Sequence, residues 1–162
     1  MITCYFEDNA KAKFGLRHVV MSTIVVKDGK ILLEKRGTYN GKPILESGKW
    51  ALIGGYLDRD EDLITGAKRE SIEETGWKLD NFKLLRINDS PERPREDRQN
   101  VDFVFVANAI SQKPTKSEEV AELAWFDLDK IPPKEQIAFD HFESIELYKK
   151  FLKENFPIPL LG

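Results

Sequence analysis

At 162 residues and 41% hydrophobic content, the chain has the size of one compact domain, able to bury roughly two thirds of the surface that its unfolded form exposes. A net charge of −3 and a pI near 5.5 exclude a surface built to coat nucleic acid or adsorb to membranes, so any phosphate recognition has to be local. The opening MITCYFEDNAK has no basic start leading into an apolar core, and the apolar run 19–26 is far too short to span a bilayer; the expectation is a cytoplasmic protein with no membrane and no nucleic-acid partner.

In chain order, residues 18–27 and 30–36 are β-branched and apolar runs joined by Asp28-Gly29, the signal for a two-residue hairpin between antiparallel strands. Residues 37–48, rich in glycine with an asparagine and a proline, read as a loop, and 50–56 as a short strand. A helix over 63–75 follows. Asp60, Glu61 and Asp62 suit its N-terminal end through the helix dipole, and Gly76 suits its C-terminal cap. Gly66 inside that helix costs about 1 kcal/mol relative to alanine, which points to close packing against a neighbour. Strands are predicted over 79–88, 101–110 and 122–126, the middle one carrying the clearest run, VDFVFVANA. Pro132-Pro133 marks a turn into a short helix. From 140 to 155, Phe142, Ile145, Tyr148 and Leu152 recur at three and four, the pattern of a core-facing stripe. Strands and helices mixed in this way predict an α/β sandwich in a single domain, 1–162. Cys4 is the one cysteine, so neither an intramolecular disulfide nor a cysteine zinc module can form.

The chemistry concentrates in GYLDRDEDLITGAKRESIEETGW, residues 55–77. On a helix Glu73 and Glu74 lie about sixty degrees before and forty degrees after Glu70, so three carboxylates share little more than a quarter of the circumference. Like charges this close repel and push at least one pKa upward, and a hard divalent cation is their natural partner. The full spacing resembles the Nudix signature, G-x5-E-x7-R-E-U-x-E-E-x-G-U. Gly55, Glu61, Arg69, Glu70, Glu73, Glu74 and Gly76 occupy every fixed glycine and polar position, a coincidence with a chance on the order of one in a million. Two positions depart from the pattern: Ser71 fills the first hydrophobic slot, and Ile53 stands before the double glycine where many members carry proline.

The resemblance implies a mixed sheet flanked by helices, and Mg²⁺, or Mn²⁺ in its place, as cofactor held by Glu70, Glu73, Glu74 and the carbonyl of Gly54. It implies an ion pair of Glu61 with Arg69 that fixes the box loop on the helix, and a further carboxylate, Glu118 or Glu119, from a distant loop as extra ligand or base. Arg36 lies near where relatives hold a diphosphate; Arg93, Arg95 and Arg98 offer further guanidinium forks for phosphate. Trp50, Tyr56 and Phe103 are candidates to stack on a base, with core packing the alternative, favoured for Phe103. The expected reaction is hydrolysis of a phosphoanhydride bond in a small-molecule nucleotide. Pro91, fifteen residues after Gly76, resembles the proline that the ADP-ribose pyrophosphatase branch of the family carries at about this distance, and that likeness tilts the choice toward ADP-ribose, cleaved to AMP and ribose 5-phosphate, over oxidised nucleoside triphosphates or dinucleotides. Some Nudix domains sense ADP-ribose-like ligands inside transcriptional regulators; residues 156–162 leave no room for a DNA-binding module after the last helix, so catalysis is the expectation. Many relatives are homodimers, and the sequence leaves that open.

Overall fold

The computed structural model describes residues 17–93 and 100–161, so Cys4, Arg95 and Arg98 lie outside the described residues. Strands β1 (Val19–Lys27) and β2 (Lys30–Arg36) pair antiparallel across the expected turn, where Asp28 and Gly29 take φ of 49° and 75°, the left-handed pair that a tight hairpin needs. The segment expected to be a loop contains a second small hairpin, β3 (Thr38–Tyr39) with β4 (Lys42–Pro43), turning at Asn40-Gly41. The strand expected over 50–56 is split at Leu52. Its first part, β5 (Trp50–Ala51), pairs with β2, and its second, β6 (Ile53–Tyr56), pairs with β1.

Helix α1 spans Leu63–Thr75, with the boundaries that its capping residues predict. The Asp62 carboxylate accepts from Thr65 N at 2.8 Å, and Gly76 closes the last turn at φ 73°. Then come β7 (Trp77–Asn88), β8 (Val101–Gln112) and β9 (Val120–Asp127), each longer than its apolar run alone predicts. Two 3-10 turns, Leu128–Lys130 and Lys134–Gln136, lead to helix α2 (His141–Glu154), and β10 (Leu160–Leu161) ends the described chain. The main sheet runs β10-β7-β8-β1-β2-β5, with β6 beside β1 and β9 beside β2. β1 with β8 and β10 with β7 are parallel and the other pairs antiparallel, which makes the sheet mixed.

Side chains alternate across the sheet with period two. Ile24, Ile31, Leu33, Leu52 and Val104 join Ile145 and Tyr148 of α2 in one core cluster. Their sequence neighbours Val25, Leu32 and Ile53 pack with Trp77 and Leu79, while Met21 and Phe105 pack with Ala67 of α1. The two helices therefore cover opposite faces, giving the α/β/α sandwich. The stripe on α2 ends on Phe151 in place of Leu152: Ile145 and Tyr148 are buried and Phe151, three residues on, packs against the same core, while Leu152 falls off that face and stays 53% exposed. Gly66 does pack closely, since a Cβ there would meet Glu61 Oε1 and the Met21 methyl, each at 2.7 Å. Among the described residues no helix is long and apolar enough to cross a membrane.

Candidate active site

The two departures from the box pattern are absorbed locally. Ser71 is fully buried, and its hydroxyl donates to the Trp77 carbonyl at 3.0 Å, closing the C-terminal turn of α1. Ile53 is fully buried in the core and pairs with Thr23. After it the Gly54–Gly55 backbone passes against α1. Gly54 takes φ 155° with its Cα against the Met21 carbonyl, and at Gly55 a Cβ would collide with the Glu70 carboxylate. Glycine at both positions is therefore what lets a β1–β6 edge and an acidic helix meet.

Arg69 pins the loop between them. Its Nη2 and Nε donate to the two Glu61 oxygens at 2.7 and 3.1 Å, Nη2 also donates to the Tyr56 carbonyl at 3.0 Å, and Nη1 donates to Glu70 at 2.8 Å and Glu73 at 3.2 Å. Glu61 in turn accepts from Asp58 N at 2.9 Å. Strand end, loop and helix thus share one guanidinium. The Arg69 hydrogen bonds hold the Glu61 carboxyl below its ordinary range, and the same contacts drive the guanidinium pKa upward.

The three box glutamates are not equivalent. Glu73 is 59% exposed and, among the described residues, reaches only Arg69. Glu70 is turned inward, and burial raises its pKa against the opposing pull of Arg69. Glu74 accepts from Gly54 N at 3.1 Å beneath β6; burial raises its pKa well above the usual range, and the charges of Glu34 and Glu70 add to the effect. The loop before β9 brings Glu119 close enough for its charge to raise both Glu70 and Glu34. Its neighbour Glu118 instead turns to the small hairpin, accepting from Asn40 N at 3.1 Å.

Glu34 is absent from the sequence expectations. It sits on β2, is 1% exposed, and meets Glu74 from the sheet side. Burial pushes its carboxyl up to about 8, although Arg36 pulls the other way. A signal was available: alternation places residue 34 on the face of Leu32, the one α1 covers, so a glutamate there points into the structure.

The predicted substrate residues separate. Arg36 stands at the mouth of this cluster, with Nη1 3.8 Å from Glu34, Nε donating to the Leu45 carbonyl at 2.8 Å, and its guanidinium 5.0 Å above the Phe139 ring. Tyr56 lies edge-on to His18 at 5.6 Å, next to the Arg69 anchor. Trp50 packs edge-on against Phe126 at 5.0 Å in the α2-side core, and Phe103 packs near Met21 and Phe105.

Arg93 is not brought to the box. It is 9% exposed on the α2 side, where Nε and Nη2 clamp the Asp140 carboxylate at 2.8 and 2.9 Å, Nη1 donates to the Asn100 carbonyl at 3.0 Å, and Nη2 is 3.5 Å from Asp102. Asp102, Asp140 and His141 lie close enough to share a metal ion. The arrangement is otherwise neutralised: Arg93 balances the aspartates, and His141 Nδ1 accepts from Leu52 N at 3.0 Å. Ser22 donates to Asp102 at 3.0 Å and lies 3.5 Å from His141 Nε2, so serine separates acid and imidazole, the reverse of what a nucleophilic triad requires.

Comparison with known proteins places this geometry. The NUDIX domain family model matches residues 16–148. An ADP-ribose pyrophosphatase of Methanocaldococcus jannaschii is 32% identical over 133 residues, 82% of this chain and 73% of that protein. An oxidized purine nucleoside triphosphate hydrolase of Mus musculus is 34% identical over 116 residues, 67% of this chain and 65% of that protein. Among solved structures, a UDP-X diphosphatase superposes with a TM-score of 0.74 at 23% identity, covering 93% of this chain and 70% of its own, and an ADP-ribose pyrophosphatase from Streptococcus suis with 0.68 at 17%, covering 91% and 100%. With the complete glutamate box on α1, its Arg69 anchor and these matches, the chain belongs to the Nudix family and is a Nudix pyrophosphohydrolase.

Proposed function

We propose that the protein hydrolyses the phosphoanhydride bond of a nucleoside diphosphate derivative in a Mg²⁺-dependent reaction, with ADP-ribose as substrate and AMP and ribose 5-phosphate as products. The observation that carries this reading is the inward-facing set of Glu70 and Glu74, joined by Glu34, whose carboxyls are all raised first by burial, with the charge of neighbouring glutamates adding to each. Such a set is costly unless a cation joins it, and an all-oxygen donor set fits Mg²⁺ or Mn²⁺. Glu70, Glu73, Glu74 and the Gly54 carbonyl would hold that ion. When bound, it withdraws charge from the diphosphate oxygens and acidifies a water.

The chain's own residues do the rest. Arg69 and Glu61 keep the glutamates and the glycine loop in register, so that little reorganisation is needed when charge develops. Arg36, at the mouth of the cluster, offers its fork to a phosphate oxygen, and Tyr56, beside the Arg69 anchor, is the candidate to stack on the base. Glu119, whose charge reaches Glu70 from the loop before β9, is the candidate to accept the proton of the attacking water as the bridging P–O bond breaks. The 32% identity to an ADP-ribose pyrophosphatase supports the choice of substrate. The 34% identity to an oxidized purine nucleoside triphosphate hydrolase supports a second reading, in which a triphosphate is cleaved by the same groups. Incubation with ADP-ribose, oxidised nucleoside triphosphates and dinucleotides in Mg²⁺, with product analysis in oxygen-18 water, decides between them. AMP and ribose 5-phosphate from ADP-ribose support the proposal; ligand protection with no product from any substrate contradicts it and indicates a sensor.

A further inference from the structure

We propose that Glu34, on β2 and outside the Nudix box, is a metal ligand, so that the cation is held between the sheet and α1 rather than on the helix alone. The inference rests on the reading of the box as a divalent-cation site and extends it to a residue that the box pattern does not contain.

Geometry carries the argument. Glu34 is 1% exposed, and its Oε2 is buried with no hydrogen-bond partner. The other oxygen, Oε1, has Arg36 Nη1 at 3.8 Å, too long for a hydrogen bond. The carboxyl meets that of Glu74 directly and lies within the electrostatic reach of Glu70 and Glu119. Two carboxyls that meet in a buried place are reconciled either by a proton held between them, as Glu74 can supply to Glu34, or by a cation that displaces it. The neighbourhood favours the cation. Glu74 already uses one oxygen on Gly54 N, and the Arg69 guanidinium is committed to Glu61, Glu70, Glu73 and the Tyr56 carbonyl. A site meant to receive an anionic diphosphate gains nothing from one more buried carboxylate unless that carboxylate binds positive charge.

The strand supports the role. β2 is held on both edges, by β1 and β9, and Leu32 and Leu33 before Glu34 are fully buried, so the carboxylate is delivered by a rigid element with little freedom to move away. Ligands from two packed elements also tie sheet to helix when the ion binds, which predicts metal-dependent stabilisation in addition to catalysis.

The test is Mn²⁺ binding, followed by electron paramagnetic resonance of the free ion, for the wild type, Glu34→Gln and Glu74→Gln, with melting temperatures recorded with and without Mn²⁺. Gln keeps the shape and mimics a protonated acid, so it distinguishes a ligand from a proton holder. The expected result is Mn²⁺ affinity weakened in Glu34→Gln by at least about tenfold, the low end of what loss of even a carboxylate behind the ligands costs a metal site. The Mn²⁺-induced rise in melting temperature should shrink in parallel. Wild-type affinity and stabilisation in Glu34→Gln, together with weakened binding in Glu74→Gln, would overturn the role of Glu34 while leaving the box site standing. No Mn²⁺ binding by the wild type would instead remove the underlying reading and the proposal with it. Should Glu34→Gln not fold, anomalous scattering from Mn²⁺-soaked wild-type crystals replaces it: an ion within bonding distance of a Glu34 oxygen supports the assignment, and an ion bound by α1 residues alone overturns it.

Discussion

Arg93→Met removes the cation from a buried cluster and leaves its anions behind. In the folded protein the Arg93 side chain is 6% exposed and those of Asp102 and Asp140 are 1% and 11% exposed, so solvent does little to screen them. Breaking a buried pair by removing one partner costs about 3–5 kcal/mol, because the remaining charge is stranded. Asp140 loses both arms of its clamp here, while the Asn100 carbonyl keeps Arg17 Nη2 at 3.3 Å and Asp102 keeps the Ser22 hydroxyl at 3.0 Å, so the whole of that range applies. For a domain of this size about 2–4 °C is lost per kcal/mol, so the melting temperature should fall by about 6–20 °C. Adding Asp140→Asn to Arg93→Met should recover part of the loss, since one stranded charge is removed. The assay is thermal melting by circular dichroism, paired with KM for the hydrolysed nucleotide at a temperature where both proteins are folded. A melting temperature within about 2 °C of wild type, with KM raised tenfold, would refute this reasoning and return Arg93 to phosphate binding.

Burial depresses the His141 pKa to about 4, with Arg36 and Arg93 adding to the effect and Asp140 opposing it. The unfolded state therefore binds this proton more readily between pH 6.5 and about 4, and stability is full above that window and falls by up to about 3 kcal/mol as the pH drops through it. His141→Asn, which keeps an acceptor for Leu52 N, should lack this fall in urea titrations across the same pH range; an unchanged slope would contradict the assignment. Arg69→Lys keeps the charge but loses the fork that spans Glu61, Glu70 and the Tyr56 carbonyl, so kcat should drop about tenfold or more with KM changed little. Equal kcat in stopped assays would show that the anchor does not position the site. Glu73→Gln should lower turnover at least about a hundredfold while leaving the melting temperature unchanged, because the residue is exposed until a metal recruits it. Wild-type turnover in that variant would remove Glu73 from the ligand set.

Local chemistry made α1 legible in the sequence. Asp62 and Gly76 mark its ends, the glutamate spacing marks its working face, and Gly66 inside it marks a close approach, all within about fifteen residues of one another. The Asp28-Gly29 hairpin was legible for the same reason. Asn40-Gly41 carries an equivalent signal for the β3–β4 hairpin, obscured because the flanking strands are two residues long and have no apolar alternation. What escaped was long-range. The parallel pairing of β1 with β8 joins residues about eighty apart, and no local pattern specifies it. Arg93 resembles a surface loop arginine until Asp140, forty-seven positions later, is folded against it. Glu34 lies in ILLEKR, where alternation puts it on the face of Leu32, but that this face is an interior one follows only once β9 lies beside the strand and α1 above it.

Release of AMP and ribose 5-phosphate from ADP-ribose, measured in Mg²⁺ and again in excess EDTA for the wild type and Glu74→Gln, tests the central claim most directly. The account predicts product from the wild type in Mg²⁺, none in chelator, recovery on adding Mn²⁺, and at least about a hundredfold less turnover in the folded variant. Full hydrolysis in EDTA, or wild-type turnover from Glu74→Gln, would contradict it.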